Sequence, residues 1–374
     1  MPFNRPYRTG AEAALVLEAL EGGWTGGNGP FSARCQELLV EMTGTRQALL
    51  THSCTGALEM AALLVGVWPG DEVIVPSFTF VSTANAFVLR GATPVFVEIR
   101  PDTLTMDPEA LADAVTPATR AVAVVHYAGG ACDMADIAAV AQRHELAVIE
   151  DAAQGVGATW RGQALGGLGT LGALSFHETK NVSCGEGGAL LINDDRFVER
   201  AEVLHEKGTN RARFSRGQVG HYTWMDLGSS FLMSDVTAAL LLAQLESVRE
   251  ITAARLGLWD AYHAALEPLE RDGRVLRPRF TADSEHNGHI YYLLLPDRAQ
   301  RDDLIARLRS EGIHAYFHYV PLHSSPAGRR FGRVRGELPH TDAAAGRLIR
   351  LPLWVGMSEA DVGRVCEAVA CAVR

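Results

Sequence analysis

The sequence has little of several things that would mark other classes of protein. Its longest apolar stretches, such as Ala61–Trp68, are far shorter than the roughly 18–20 residues that span a bilayer, and the N-terminus lacks a signal peptide's apolar core. Basic charge is not in excess, because 34 Lys+Arg against 44 Asp+Glu give a net charge of −10. That sign is wrong for binding a nucleic-acid backbone or an anionic membrane. We therefore expect a cytoplasmic protein that binds neither.

Cysteine and lysine are also scarce in the 374 residues. The six cysteines are dispersed and form no CxxC pair with a matching second half, which excludes a disulfide framework and a cysteine-based zinc site. Only Lys180 and Lys207 are lysines. Any chemistry that needs a primary amine from a side chain must therefore use one of these two.

Short apolar runs alternate with helical patterns from about residue 46 to residue 205, which is typical of a mostly parallel sheet covered by helices. The predicted strands are Ala48–Thr51, Glu72–Val75, Thr93–Glu98, Ala121–His126, Ala147–Glu150, Leu171–Ser175 and Ala189–Ile192. The predicted helices are Gly56–Val65, Ser82–Arg90, Pro108–Val115, Met134–Arg143 and Arg196–Glu206. The sequence thus predicts an α/β fold with a mostly parallel seven-stranded sheet.

The pattern changes beyond about residue 234, where a smaller C-terminal α+β domain is expected. The predicted elements there are a long apolar helix from Ser234 to about Leu269, a strand at His289–Leu295, a helix at Arg301–Glu311, a strand at His314–Tyr319 and a closing helix at Glu359–Val373. We expect residues 1–233 and 234–374 to form two domains. No Pro/Gly/Ser-rich linker separates them, so they should pack closely.

Two predicted strands end in polar residues suited to a ligand. The first leads through Ser53, Cys54 and Thr55 into a helix, and a helix start with free N–H groups and hydroxyls binds phosphate. An ordinary N-cap would use the same residues. The strand Ala147–Glu150 brings Asp151 and Gln154 to the carboxyl edge of the sheet, where open α/β sheets bind ligands, although Asp151 could instead cap a following helix.

Lys180 lies in the polar segment Phe176–Gly188, which joins the last two predicted strands and is too short for a crossover helix. Connections of that kind usually carry function. Lys207 follows a charged helix and is typical of a helix C-terminal cation. A phosphate cradle, an amine for a Schiff base and a carboxylate beside the pyridine nitrogen are what pyridoxal 5'-phosphate (PLP) requires. The three segments together predict a PLP site.

Two other patterns do not predict sites. Gly167–Gly172 matches GxGxxG, but it leads into a strand where a dinucleotide-binding turn must lead into a helix. His314 and His318 have the spacing of one strand face, and His286 and His289 lie close in sequence, but no carboxylates or cysteines cluster with them. We predict neither a nicotinamide or flavin site nor a metal site.

The chain resembles the PLP-dependent sugar-nucleotide aminotransferases, which have the aspartate-aminotransferase fold (fold type I). The resemblance covers nearly the whole chain through Gly23–Pro30, Gly70–Phe80, Glu150–Gln154 and Ser175–Asn181. The segments most similar to one branch are Phe176–Asn181, Gly185–Asn193, Glu206–Arg211, Gly228–Ser230 and His318–Gly328. That branch comprises the dTDP-4-amino-4,6-dideoxyhexose (dTDP-4-keto-6-deoxyglucose 4-) transaminases.

The resemblance implies roles for the matching residues. Lys180 corresponds to the catalytic lysine that forms the Schiff base, Asp151 to the carboxylate at the pyridine nitrogen and Gln154 to the amide near the ring hydroxyl. The other implied cofactor contacts are Cys54 and Thr55 at the phosphate, Ser175 as a further phosphate hydroxyl, Phe80 stacked on the ring, and Ser230. Many members reach across a dimer interface with an Asn at the position of Ser230, so this chain would offer a hydroxyl instead.

The resemblance further implies a homodimer with active sites at the interface and a dTDP-sugar and glutamate as substrates. Within the branch-like segment, His318 and His323 are candidate substrate contacts. Arg329 and Arg330 begin a basic cluster just after it, which would bind the nucleotide or form a solvated loop.

The expected reaction moves an amino group from glutamate through PLP to C4 of dTDP-4-keto-6-deoxy-D-glucose. Amination at C3 of a related keto sugar nucleotide is one alternative, and a noncatalytic PLP-binding regulatory protein is another. Known sugar dehydratases with this fold replace the lysine by histidine or add an iron–sulfur cluster, and Lys180 and the scattered cysteines argue against both. The sequence leaves open whether the new amine is axial or equatorial.

Overall fold

The computed structural model describes residues 1–373. Its strands are β1 (Gln47–Thr51), β2 (Glu72–Pro76), β3 (Thr93–Val97), β4 (Thr119–Val125), β5 (Ala147–Asp151), β6 (Thr159–Trp160), β7 (Gln163–Ala164), β8 (Leu171–Ser175), β9 (Gly188–Ile192), β10 (Ser284–Glu285), β11 (Tyr291–Leu294), β12 (Arg333–Val334) and β13 (Leu348–Leu351). Its helices are α1 (Glu12–Glu21), α2 (Pro30–Thr43), α3 (Cys54–Val65), α4 (Val81–Val88), α5 (Pro108–Ala114), α6 (Met134–Arg143), α7 (Val198–His205), α8 (Arg211–Ser215), α9 (Asp235–Glu246), α10 (Val248–Ala265), α11 (Glu267–Arg271), α12 (Arg298–Ser310), α13 (Pro326–Phe331), α14 (Pro339–Arg347) and α15 (Glu359–Ala372).

A mostly parallel sheet in the order β1-β9-β8-β5-β4-β2-β3-β12 forms the centre of the fold. Within this sheet β9 runs in the direction opposite to the other seven strands. All seven predicted strands form, which confirms the α/β class. The predicted number of strands is wrong by one, because the exposed pair Arg333–Val334 adds to the edge of β3 and is too short to leave a pattern in the sequence.

Helices cover both faces of this sheet. In β2 every residue is buried, and its successive side chains enter opposite apolar layers: Val73 and Val75 pack on the side of α3 and α4, and Ile74 packs on the other. The five strands β2, β3, β4, β5 and β8 run in the same direction. Their carboxyl ends therefore meet at one edge, and the polar residues that follow them are brought together.

The C-terminal part differs from the prediction in two places. The long helix predicted from Ser234 to about Leu269 is divided into α9, α10 and α11, with non-helical caps at Ser247 and Leu266. The strand predicted at His314–Tyr319 is wrong: β11 pairs instead with β13, and the predicted segment makes a single bridge to it. Tyr319 has a φ of 47°, which interrupts extended backbone.

The domain division at residue 233 stays a proposal. The helix that follows this position, α9, packs with α1 and α2 in the core under the large sheet.

Residues 1–373 contain no helix long and apolar enough to cross a membrane. In the same part of the chain, no group of three or more His, Cys, Asp or Glu side chains is arranged to hold a metal ion.

Buried histidines make the fold sensitive to acid. Burial lowers the pKa of His205 to about 4, and its Nε2 lies 2.6 Å from the Leu50 carbonyl oxygen. The unfolded chain, with an ordinary histidine pKa near 6.5, binds more protons than the folded chain between pH 6.5 and pH 4. As the pH decreases through that window, the free energy of unfolding should therefore fall by about 1.4 kcal/mol per pH unit for such a histidine.

We expect His205→Gln to reduce this slope in urea unfolding followed between pH 4 and pH 6.5. His144→Gln, at an exposed histidine, is the matched control and should leave the slope unchanged. Equal slopes in all three proteins would contradict the assignment.

Candidate active site

A cleft of about 570 Å³ opens at the carboxyl edge of the large sheet, between that sheet and the C-terminal part. It gathers eight of the residues predicted as site residues: Cys54, Thr55, Phe80, Asp151, Gln154, Ser175, Lys180 and His318. These residues come from distant parts of the sequence, and the parallel strands bring most of them to one place.

The N-terminus of α3 forms one wall of the cleft. Ser53 is its N-cap, and the Ser53 Oγ accepts a hydrogen bond from the backbone N–H of Gly56. The backbone N–H groups of Cys54 and Thr55 have no acceptor among residues 1–373. The Thr55 hydroxyl lies 2.8 Å from that of Ser82. Free N–H groups and hydroxyls at the positive end of a helix dipole form a site for an anion such as phosphate.

Asp151, the last residue of β5, is 5% exposed and lines the cleft. Its Oδ2 accepts a 2.6 Å hydrogen bond from Thr83 Oγ1, and its Oδ1 accepts one from the Ala153 N–H. A turn and the short strands β6 and β7 follow it, so its alternative interpretation as the cap of a following helix is wrong. The carboxylate is held rigidly from one side and is available to a ligand in the cleft.

Lys180 lies in the connection between β8 and β9, and its half-buried side chain lines the same cleft. Burial lowers the pKa of the Lys180 amine; nearby Cys54 and Asp151 oppose this effect, and Arg350 adds to it. No group within residues 1–373 accepts a hydrogen bond from Nζ. The site therefore offers an amine that gives up its proton more readily than an ordinary lysine.

A hydrogen-bonded aromatic cluster closes the opposite wall. Gln154 accepts a 2.7 Å hydrogen bond from the Ala128 N–H and donates one of 3.0 Å to Tyr319 Oη. The His318 ring stacks on Tyr319 at 3.7 Å, and its Nδ1 lies 2.8 Å from Tyr127 Oη. Burial lowers the pKa of His318 well below its usual value, and the charges of Arg350 and Lys180 lower it further. His318 therefore favours the neutral imidazole, which offers one ring nitrogen as a hydrogen-bond donor and the other as an acceptor.

Four predicted site residues lie outside the cleft lining. Ser230 is exposed, and its backbone pairs with Glu206. His323 Nδ1 lies 2.7 Å from Ser77 Oγ, which ties the 322–324 turn to the end of β2. Arg329 and Arg330 are both exposed on α13. The structure therefore does not bring these residues together with Lys180 within one chain.

The other two arginines of the basic cluster, Arg333 and Arg335, make contacts that stabilise the fold. Arg333 binds the Glu72 carboxylate at 2.6 Å, and Arg335 donates a hydrogen bond to the Asp113 carbonyl oxygen. The first contact attaches the edge strand β12 to β2, and the second attaches the residue after it to α5. The cluster predicted as either a nucleotide contact or a solvated loop thus contributes half of its arginines to local structure.

The Gly167–Gly172 motif forms a loop that leads into β8, as its spacing predicts. The fully buried Glu150 carboxylate accepts hydrogen bonds from the backbone N–H groups of Gly166, Leu168 and Gly169, and it also contacts His126 Nε2 at 2.8 Å. The N–H groups that would cradle a dinucleotide phosphate are therefore bound to a carboxylate. This network anchors the strand end that carries Asp151.

Several residues that line the cleft were not predicted as site residues from the sequence. They are Phe3, Asn4, Thr79, Ser82, His177, Glu186, Arg255, His289, Tyr319 and Arg350. Arg255 contacts only carbonyl oxygens, those of Gly288, His289 and Leu353, and burial lowers its pKa to about 9. No local motif marks Arg255, His289 or Arg350, because packing of the C-terminal part brings them to the cleft.

The residues fit the predicted cofactor. PLP needs an anion site, an amine and a carboxylate, and the cleft places the free N–H groups of α3, the Lys180 amine and the Asp151 carboxylate on a single lining. Phe80, half exposed within that lining, offers an apolar ring to a flat ligand.

The model of the DegT/DnrJ/EryC1/StrS aminotransferase family matches residues 6–370. A curated relative, the spore coat polysaccharide biosynthesis protein SpsC of Bacillus subtilis (strain 168), is 36% identical over 377 residues, covering 99% of this chain and 96% of SpsC.

Solved structures are similar over the entire chain. The aminotransferase TlmJ of Streptoalloteichus hindustanus is 31% identical with a TM-score of 0.91, covering 100% of this chain and 98% of TlmJ. The Streptococcus pneumoniae protein Spr1654, designated a sugar aminotransferase, is 27% identical in its PMP form with a TM-score of 0.92, covering 100% of this chain and 99% of that one. The same protein has been solved in its PLP form.

Proposed function

Because the chain belongs to the DegT/DnrJ/EryC1/StrS aminotransferase family, we propose that it transfers an amino group from glutamate to C4 of dTDP-4-keto-6-deoxy-D-glucose. The product is a dTDP-4-amino-4,6-dideoxyhexose for deoxyaminosugar biosynthesis. The family uses PLP, and the chain is a PLP-dependent sugar aminotransferase. The sugar nucleotide and the position of the new amine are our proposal.

One observation carries the proposal: the only lysine of the cleft lining, Lys180, shares that lining with Asp151 and with the N-terminus of α3. The free N–H groups of α3, with the hydroxyls of Thr55 and Ser175, would hold the PLP phosphate. Asp151 keeps a proton on the pyridine nitrogen. PLP, when bound, supplies a protonated ring that accepts electrons from the carbon next to the transferred nitrogen.

Lys180 is the base that moves protons in this account. An amine whose pKa is lowered by partial burial is deprotonated closer to neutral pH than an ordinary lysine, which is the property a general base requires. Lys180 takes the proton from Cα of the amino donor and delivers it to C4′ of the cofactor, and it performs the reverse transfers with the sugar carbon.

The choice of sugar rests on the branch resemblance in Phe176–Asn193 and His318–Gly328, and His318 lines the cleft. A pocket of this kind separates C4 from C3 amination through hydrogen bonds that only one sugar orientation can make. C3 amination of a related keto sugar is therefore the second candidate. A noncatalytic PLP-binding role is disfavoured by the family and by the retained amine and carboxylate.

The product of the reaction tests the proposal. We expect the enzyme, with PLP, glutamate and dTDP-4-keto-6-deoxyglucose, to yield a sugar whose amine is on C4 in the NMR spectrum, and the ring couplings will give its configuration. A C3 amine would replace the leading candidate by the second. Glutamate alone should convert the spectrum of the PLP form to that of the pyridoxamine form. If no amino donor produced this conversion, the proposal that the protein is an aminotransferase would be contradicted.

We also propose a homodimer in the cytoplasm. The segment that precedes Ser230 exposes several large apolar side chains: Phe214, Tyr222, Trp224, Met225 and Leu227. Trp224 is 78% exposed, and exposed apolar groups of this size gathered in one segment usually mark an interface. Ser230 then contributes to the partner's site. Sedimentation of an active monomer would contradict this arrangement.

A further inference from the structure

His289 is a buried histidine of the cleft lining that the proposed function does not yet use. It lies just before β11 and is 7% exposed. Its backbone N–H donates a 3.0 Å hydrogen bond to Asn287 Oδ1, and its carbonyl oxygen accepts one of 2.6 Å from Arg255. The backbone is therefore held from both sides, and the ring has a fixed place in the lining.

A series of hydrogen bonds determines which ring nitrogen of His289 carries the hydrogen. Asn287 Nδ2 donates to the carbonyl oxygens of Gln154 and Val156, at 2.8 Å each. Asn181 Nδ2 donates a 3.1 Å hydrogen bond to the Asn287 carbonyl oxygen, so Asn181 Oδ1 faces His289 Nδ1 at 2.9 Å. Because an amide oxygen only accepts, Nδ1 is the donor, and Nε2 of the neutral ring carries the lone pair.

The surroundings of the ring favour its neutral form. Burial lowers the pKa of His289 well below its usual value. The groups whose charges lower it further are Lys180, Arg255 and Arg350. Nε2 makes no hydrogen bond within residues 1–373. The cleft lining thus contains a neutral nitrogen that can accept a hydrogen bond.

Lys180 is the donor that this acceptor complements. Its half-buried amine also makes no hydrogen bond within residues 1–373. Lys180 and His289 line the cleft together, and both border a second, narrow gap that has no room for a water molecule. Asn181, the residue after Lys180, makes the hydrogen bond to His289 Nδ1. A donor without an acceptor and an acceptor without a donor therefore lie in the same part of the cleft.

We propose that His289 is a positioning residue whose Nε2 accepts a hydrogen bond from the protonated amine of Lys180. This inference rests on the proposed aminotransferase function and deepens it. After Lys180 has taken the proton from Cα of the amino donor, it must hold that proton at Nζ, where burial disfavours the charge. A neutral acceptor stabilises and directs the charged amine. The hydrogen bond from Nδ1 to Asn181, called the anchor below, keeps the acceptor in place.

Other titratable and charged groups also surround the two side chains. They are Cys54 on α3, Asp151 on β5, Arg255 on α10, His318 before the 322–324 turn and Arg350 on β13. None of them is changed in the variants that test the proposal. Their effects on the pKa of Lys180 therefore stay the same, and a shift of that pKa reports the change at His289.

Three variants separate the acceptor from the anchor. His289→Asn places an amide nitrogen near the position of Nδ1, so it keeps the anchor and removes the acceptor. His289→Gln places an amide oxygen near the position of Nε2, so it keeps an acceptor and removes the anchor. Asn181→Ala removes the anchor alone. His144→Gln, at an exposed histidine, is the matched control.

The first measurement is the pKa of the Lys180 amine in the full-length protein without PLP. Trace acetylation across a pH series, followed by mass spectrometry, compares Lys180 with Lys207, which is an internal reference because the chain has only these two lysines. We expect His289→Asn to lower the pKa of Lys180 by about one pH unit, because the charged amine loses a hydrogen bond. His289→Gln should recover most of this shift, and Lys207 should not change.

The second measurement uses the PLP-loaded enzyme. We expect His289→Asn to lower the single-turnover rate with glutamate about 10-fold and to move the acidic limb of its pH profile to lower pH by about one unit. His289→Gln should lie closer to the wild type. The PLP dissociation constant and the thermal midpoint of His289→Asn should match those of His144→Gln.

Two results would overturn the proposal. One is a wild-type pKa of Lys180 in His289→Asn. The other is a shared loss of rate in His289→Gln and Asn181→Ala while His289→Asn behaves as the wild type, which would leave His289 with the anchor as its only role.

The proposed function and this inference fail in different ways. If the wild type transfers no amino group from any donor, the function itself is wrong. If the wild type reacts and His289→Asn keeps the wild-type pKa of Lys180, only the role of His289 is wrong.

Discussion

Lys180→Arg is expected to lower turnover by more than about 10⁴-fold while the protein stays folded. Arginine keeps the positive charge but holds its proton at every relevant pH, so it can neither bond to the PLP aldehyde nor accept a proton from the amino donor. Lys180→Ala should have the same effect on turnover. The measurement is the steady-state rate of amination together with the single-turnover conversion of the PLP spectrum by glutamate.

The composition of the chain provides a matched control. Lys207 is the other lysine, exposed at the end of α7, and Lys207→Arg makes the identical change there. We expect this variant to keep the wild-type rate within a few-fold. If Lys180→Arg retained more than about a hundredth of the wild-type rate, the role given to this amine would be wrong.

Asp151→Asn is expected to lower kcat by about 10²- to 10³-fold. Asparagine has the same shape and still accepts a hydrogen bond from Thr83, but it carries no charge to keep a proton on the pyridine nitrogen. PLP should remain bound through the phosphate, because the N-terminus of α3 is unchanged. The rate of the glutamate half-reaction and the PLP dissociation constant measure the two effects separately.

Thr83→Val separates charge from orientation at this position. It removes the 2.6 Å hydrogen bond to Asp151 Oδ2 and leaves the carboxylate in place, so we expect a loss of about 10-fold or less. Comparable losses in both variants would indicate that Asp151 acts through local structure rather than through its charge.

The strands and the cofactor residues of the large sheet could be predicted from the sequence for a physical reason. Each of those strands is a short apolar run that ends in polar residues, and parallel strands bring such ends to one edge. Cys54, Asp151 and Ser175 are therefore found in one lining although more than a hundred residues separate the first from the last.

The residues of the C-terminal part that line the cleft could not be predicted in this way. Arg350 lies within an ordinary apolar strand, and Arg255 lies in the middle of a helix, so neither has a local signature. The predicted strand at His314–Tyr319 failed because β13 occupies the place beside β11. His323 was predicted from the branch-like segment, and Arg329 and Arg330 were predicted from the basic cluster that follows it. The turn at residues 322–324 instead ties His323 to Ser77 at the end of β2, so these residues lie outside the cleft lining.

The central claim is that Lys180 is the amine that binds PLP, and a chemical map of the two lysines tests it most directly. Borohydride reduction of the protein with PLP, followed by proteolysis and mass spectrometry, should place the reduced cofactor on the peptide that contains Lys180 and leave Lys207 unmodified. A cofactor attached to Lys207, or to neither lysine, would contradict the account.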